Sequence, residues 1–113
     1  MRQAGILAAA GIVALDQMVD RLAEDHRRAK ILAGGLALIP GLKIETPVPA
    51  TNMVFVQLSD QVSETSQQIA ARLLAEYKVK VGTVGPRRFR MVTHYWIDDE
   101  GVERTIQALR KVL

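Results

Sequence analysis

The residues best suited to chemistry lie between Lys78 and His94. In the stretch Arg88-Phe89-Arg90-Met91-Val92-Thr93-His94, an extended backbone sends alternate side chains to opposite faces. Phe89, Met91 and Thr93 then share one face; Arg88, Arg90, Val92 and His94 share the other. Arginine on a rigid strand can grip a carboxylate or phosphate, because its planar fork donates two parallel hydrogen bonds. Spacing alone favours a solvated sheet face for Arg88 and Arg90 over a ligand role. His94 would need an orienting partner to act as a general base, and none is legible. Thr93 reads as packing. His26 and His94 lack the carboxylate spacing of a metal site, and neither a phosphate-cradling glycine loop nor a nucleophile elbow occurs.

Charge points to the same stretch. The 113 residues carry 15 Lys and Arg against 12 Asp and Glu, a net +3. Lys78, Lys80, Arg87, Arg88 and Arg90 fall within an acid-free window of 13 residues, and the rest of the chain has ten positive charges against twelve negative. The whole surplus is local. Such a patch could serve nucleic acid, but no recognisable nucleic-acid motif accompanies it and Phe89 is the one aromatic inside it. No nucleic-acid partner is expected. Lys78, Lys80 and Arg87 read as a solvated edge that discourages sheet-to-sheet association.

The elements that would position these residues follow from periodicity. Ala4 to Leu15 (AGILAAAGIVAL) carries no charge and reads as a helix apolar on every side, which must be buried all round. It is too short to span a bilayer, which takes about 20 residues, so no membrane is expected. A secretory leader has a similar outline, but this run passes straight into an amphipathic helix without a clear cleavage site. No Ser, Thr, Asp or Asn caps the start, so it reads as a cut end whose helix needs a surface from elsewhere. From Leu15 to Leu36 the apolar positions Leu15, Met18, Val19, Leu22, Ala29, Leu32 and Leu36 form a single stripe.

Strands are expected at Leu42 to Glu45 and Asn52 to Leu58, then a helix capped by Ser63 or Asp60 with Ile69, Ala70, Leu73, Leu74 and Tyr77 inward. Strands at Val79 to Val84 and Arg88 to His94 follow, turned by Gly85-Pro86. The last helix opens at Asp98 and buries Val102, Ile106, Leu109 and Leu113. The order implies an α+β fold: a small antiparallel or mixed sheet with helices on one face, preceded by a long apolar linking helix. The division expected is 1–16 for that helix, on a large-domain or subunit interface, and 17–113 for a C-terminal small domain. With no cysteine, a disulfide framework is excluded and a reducing, cytoplasmic setting is expected.

Two stretches carry a family resemblance. Met1-Arg2-Gln3-Ala4-Gly5-Ile6-Leu7-Ala8-Ala9-Ala10-Gly11, continued by Val19-Asp20-Arg21-Leu22-Ala23-Glu24-Asp25-His26, resembles the segment after the triple glycine of low-specificity L-threonine aldolases. Thr51-Asn52-Met53-Val54 and Arg88-Phe89-Arg90-Met91-Val92-Thr93-His94 resemble that family's later strands. The resemblance implies the C-terminal domain of an aspartate-aminotransferase-like fold and retro-aldol cleavage of β-hydroxy-α-amino acids, such as threonine to glycine and acetaldehyde. It further implies pyridoxal 5'-phosphate as cofactor in the parent enzyme, and a homo-oligomer. By the same resemblance Arg90 holds the substrate α-carboxylate, and Arg2 lies at the junction that approaches the cofactor phosphate across a subunit interface.

The resemblance also places the family's Schiff-base lysine, its ring-stacking histidine and its pyridine-nitrogen aspartate before the triple glycine. None of them has a counterpart here, so no catalytic residue and no covalent cofactor link are expected of this chain, which would be inactive without an N-terminal cofactor-binding domain. Lys78 stands where the family often has a helix-ending glycine, and Tyr95-Trp96 replace a more polar pair. The alternative is a non-catalytic α+β amino-acid-binding or regulatory module that uses Arg90 without chemistry.

Overall fold

A computed structural model describes residues 2–113. Helix α1 (Ala4–Val13) runs into a π-helical turn (Ala14–Met18) and, after a further turn, into α2 (Leu22–Ala37). Strands β1 (Leu42–Ile44) and β2 (Met53–Leu58) follow, then α3 (Ser66–Tyr77), β3 (Gly82–Thr83), β4 (Arg88–Val92) and α4 (Asp99–Val112). The four strands form one wholly antiparallel sheet in the order β1-β2-β4-β3. One face of it, carrying Leu42, Val54, Val56, Leu58, Phe89 and Met91, packs with Ala29, Leu32 and Leu36 of α2, Ile69 and Leu73 of α3, and Ile106 and Leu109 of α4. This is the expected α+β architecture, resolved in favour of an antiparallel sheet.

Several local features differ from the periodicity reading. The π-helical turn adds residues to the helical repeat and rotates the faces on either side of it relative to one another. The stripe therefore breaks: Ala29, Leu32 and Leu36 are buried, but Leu15, Val19 and Leu22 face out. All of α1 is exposed in the single chain, Ile6, Leu7 and Ile12 included, although its composition calls for burial. In α3 the cap is Thr65, not Ser63 or Asp60. Its hydroxyl accepts from the Gln68 amide at 3.2 Å, while the Gln68 side chain accepts from the Thr65 amide at 2.9 Å. That reciprocal box is readable from Thr65-Ser66-Gln67-Gln68. Leu74 lies outside the buried stripe of α3, and in α4 Val112 is more deeply buried than Leu113.

The expected strand over Val79 to Val84 shrinks to Gly82–Thr83. Val79 instead donates its amide to Leu73 at the end of α3, at 3.1 Å. Lys78 ends that helix at φ 58° and ψ 33°, a left-handed conformation that favours glycine. Glycine matters most at Gly35, where a Cβ would collide with the Ile106 side chain, so its absence lets α2 and α4 approach closely.

Candidate functional site

Arg90 projects from β4 on the sheet face away from the helices and is exposed. Directly opposite it are Phe55 on β2 and Gly82 on β3. A Cβ on Gly82 would come within 2.9 Å of the Arg90 carbonyl oxygen, so the strands close up here because the position is glycine. Arg90 has no ion-pair partner among the described residues. Beyond Gly82, β3 leaves the free edge of β4 open, and a cleft of about 290 Å³ forms there. Lys80, Gly82, Arg90, His94 and Thr105 border it together with Leu32, Ile97 and Val102; those apolar residues belong to the helix side of the sheet, whereas the alternation of β4 directs the Arg90 side chain to the other face. Among the described residues no acid lines it.

Arg88 is differently placed. Glu45 accepts from it twice, at 2.7 and 2.8 Å, and its guanidinium carbon lies 4.4 Å from the centre of the Phe55 ring. The same contact holds the Glu45 carboxyl below the usual carboxylate range, with the Gln57 side chain assisting. Arg87 departs from the solvated-edge reading, because its guanidinium donates to the carbonyls of Ser59 and Glu64. Structure thus divides the basic window: Arg87 braces a loop, Arg88 is paired, and Arg90 is left free to bind. Neither partnership has a local sequence signal, since Glu45 is 43 residues from Arg88.

His94 lies beyond the end of β4, which stops at Val92 and not at His94 as the alternation implied. Its Nδ1 accepts from the Trp96 amide at 3.2 Å, so no carboxylate orients that nitrogen. Thr93 keeps the inward side of the alternation just past the strand end. Its amide donates to the Asn52 carbonyl at 3.0 Å and its hydroxyl to the Asp25 carbonyl at 2.7 Å, a polar role that the packing reading missed. Arg2 is exposed at the outer end of α1 and is not part of the Arg90 cleft. Ten residues of helix and the π-helical turn separate it from the body. Within one chain the structure therefore does not bring Arg2 and Arg90 together.

Fold and site define the class: an α+β domain with an antiparallel sheet whose central strand β4 presents an exposed arginine beside a cleft at its edge. The chain belongs to the beta-eliminating lyase family, whose sequence profile matches residues 1–61. It is 33% identical over 112 residues to a probable low-specificity L-threonine aldolase 2 of Arabidopsis thaliana, covering 99% of this chain and 31% of that protein. It is 31% identical to low-specificity L-threonine aldolase 1 of the same plant, covering 100% and 31%. The chain thus spans about a third of the length of these relatives. Among solved structures, it resembles C-DES with glycine covalently linked to its PLP cofactor (TM-score 0.74, 22% identity, 95% of this chain and 28% of that one). It also resembles L-threonine-O-3-phosphate decarboxylase from Porphyromonas gingivalis (TM-score 0.74, 15% identity, 92% and 32%). These structures share the fold.

Proposed function

We propose that this chain is the C-terminal small domain of a pyridoxal-phosphate-dependent, threonine-aldolase-like lyase of the cytoplasm. The observation that carries the reading is Arg90: an exposed, acid-free guanidinium on a central strand, in a chain of this family. Residues 17–113 form the small domain. Residues 1–16 link it to a large cofactor-binding domain or a neighbouring subunit, which supplies the cover that α1 lacks. The assembled enzyme is a homo-oligomer.

The residues present fit part of the cofactor's needs. Arg2, at the amino end of α1, adds a cation to a helix terminus that favours anions, and so suits the cofactor phosphate. Arg90 would bind the α-carboxylate through parallel hydrogen bonds and so fix the orientation of the amino acid. When bound, the cofactor supplies the electron sink for cleavage of the Cα–Cβ bond. Arg2 and Arg90 lie apart in one chain, which fits a site completed across subunits. Without the lysine-bearing domain, this chain alone binds no cofactor covalently and cleaves no threonine.

A chimera tests the reading. This chain replaces the matching third of the Arabidopsis low-specificity L-threonine aldolase 1, and acetaldehyde release from threonine is measured with added pyridoxal phosphate. Turnover that disappears in Arg90→Ala, in a chimera that still folds, supports the reading. Turnover that survives Arg90→Ala overturns the carboxylate role. Glycine binding by the chain alone, without cofactor, favours the non-catalytic module instead.

A further inference from the structure

Asp25 is a charged residue in the core, 2% exposed, in the first turn of α2. Its carboxylate accepts from Arg21, in the turn that precedes the helix. Its carbonyl accepts from the Thr93 hydroxyl at 2.7 Å. Thr93 and Asn52 are themselves joined three times: the Thr93 amide and hydroxyl donate to the Asn52 carbonyl at 3.0 and 3.4 Å, and the Asn52 side-chain amide donates to the Thr93 carbonyl at 2.8 Å. The start of α2, the entry to β2 and the exit of β4 are therefore tied at one point. The tie continues outward: the Arg21 guanidinium carbon lies 5.2 Å from the Tyr95 ring centre, and Tyr95 meets Trp96 edge-on with centroids 4.9 Å apart.

Packing does not require this arrangement, since apolar residues of similar volume often serve a core as well as a buried ion pair does. What it does is geometric. Thr93 is the third residue after Arg90, so fixing Thr93 fixes the end of the strand that carries the ligand-binding arginine. Arg21 is the last residue of the turn that connects the π-helical turn to α2, where α1 meets the domain. π-Helical insertions recur at functional sites, where they alter the direction of a helix.

We propose that Arg21 is a positioning residue for Arg90: through Asp25 and Thr93 it sets the attitude of β4 relative to the linking helix. This rests on the reading of Arg90 as the carboxylate-binding residue. The aromatic pair Tyr95–Trp96 is the outer part of the same tether, and Trp96 is the sole tryptophan of the chain.

The test uses amide exchange and tryptophan emission in the full chain, with Arg21→Gln, the double variant Arg21→Gln/Asp25→Asn, and Tyr95→Leu. The double variant leaves no buried carboxylate unpaired, so it keeps the test valid where Arg21→Gln fails to fold. Thr93 amide exchange is expected to accelerate about tenfold in the double variant, while the Ile69 amide in α3 changes less than about twofold. Equal acceleration at both sites overturns the proposal, because a merely structural pair would loosen the whole domain. Trp96 emission shifts in Tyr95→Leu and in the double variant; unchanged emission in the latter also overturns it. In the chimera, the double variant raises the KM for threonine about tenfold with kcat within about twofold. A fall in kcat with KM unchanged counts against it. If the unmodified chimera has no turnover, the reading of Arg90 falls, while exchange and emission still decide whether the tether exists.

Discussion

Arg88 and Arg90 occupy the same face of one strand with opposite fates: Glu45 grips Arg88 through two hydrogen bonds at 2.7 and 2.8 Å, and among the described residues no acid pairs with Arg90. The pairing removes one cation from competition for an incoming anion and leaves the other available. Phe55 lies under the Arg88 guanidinium and directly across the ladder from Arg90.

Arg90→Lys should leave stability nearly unchanged, because the side chain is exposed and unpaired. In the chimera it should lower kcat/KM by about 100-fold, equivalent to about 2.7 kcal/mol, since an ammonium cannot reproduce the two-pronged grip. Urea unfolding and threonine turnover measured on the same variant check both parts.

Glu45→Gln should lower the urea midpoint slightly at neutral pH. The folded-state carboxyl titrates below its unfolded value because Arg88 holds it ionised. Its contribution is therefore complete above the unfolded value of about 4.3 and disappears as pH falls through the lower, folded one. Unfolding curves for the parent and the variant should accordingly differ at pH 7 and converge in strong acid.

Lys78→Gly should stabilise the domain by about 1 kcal/mol, because Lys78 holds a left-handed conformation at φ 58° that costs a side-chain-bearing residue. Thermal unfolding checks the sign. Lys78→Ala, which keeps the Cβ, should recover little of that gain.

Phe89→Ala should cost about 3–5 kcal/mol, since the ring is wholly buried where the sheet meets the helices. Denaturant unfolding measures it, and a loss below about 1 kcal/mol would contradict the packing described.

Replacing Leu7 and Ile12 of α1 by lysine should leave the unfolding midpoint of the domain unchanged, as neither side chain is buried. The same change should reduce self-association in sedimentation. A large loss of stability would show that α1 packs on its own domain.

Much of the architecture was legible because it rests on local chemistry. The apolar spacing of Val102, Ile106 and Leu109 and the cap at Asp98 specify α4 without help from other segments. Alternation along β4 separated Phe89 and Met91 from Arg88 and Arg90, and the family motif singled out Arg90. The misses have local causes of another kind. A π-helical turn changes the helical phase without any marker in composition, so Leu15, Val19 and Leu22 were assigned inward wrongly.

Partner choice was decided only by tertiary structure. An arginine's sequence neighbours do not reveal which carboxylate or carbonyl will reach it across a sheet. Glu45 meets Arg88 because β1 extends beside β2, Arg87 finds the carbonyls that precede α3, and Asp25 meets Thr93 across 68 residues. Sequence alone therefore determined the order of most elements, the inward faces of α4 and β4 and, through the family motif, the candidate arginine. The folded sheet decided which cations were already neutralised, because ion pairs depend on a few ångströms of separation that only strand register supplies.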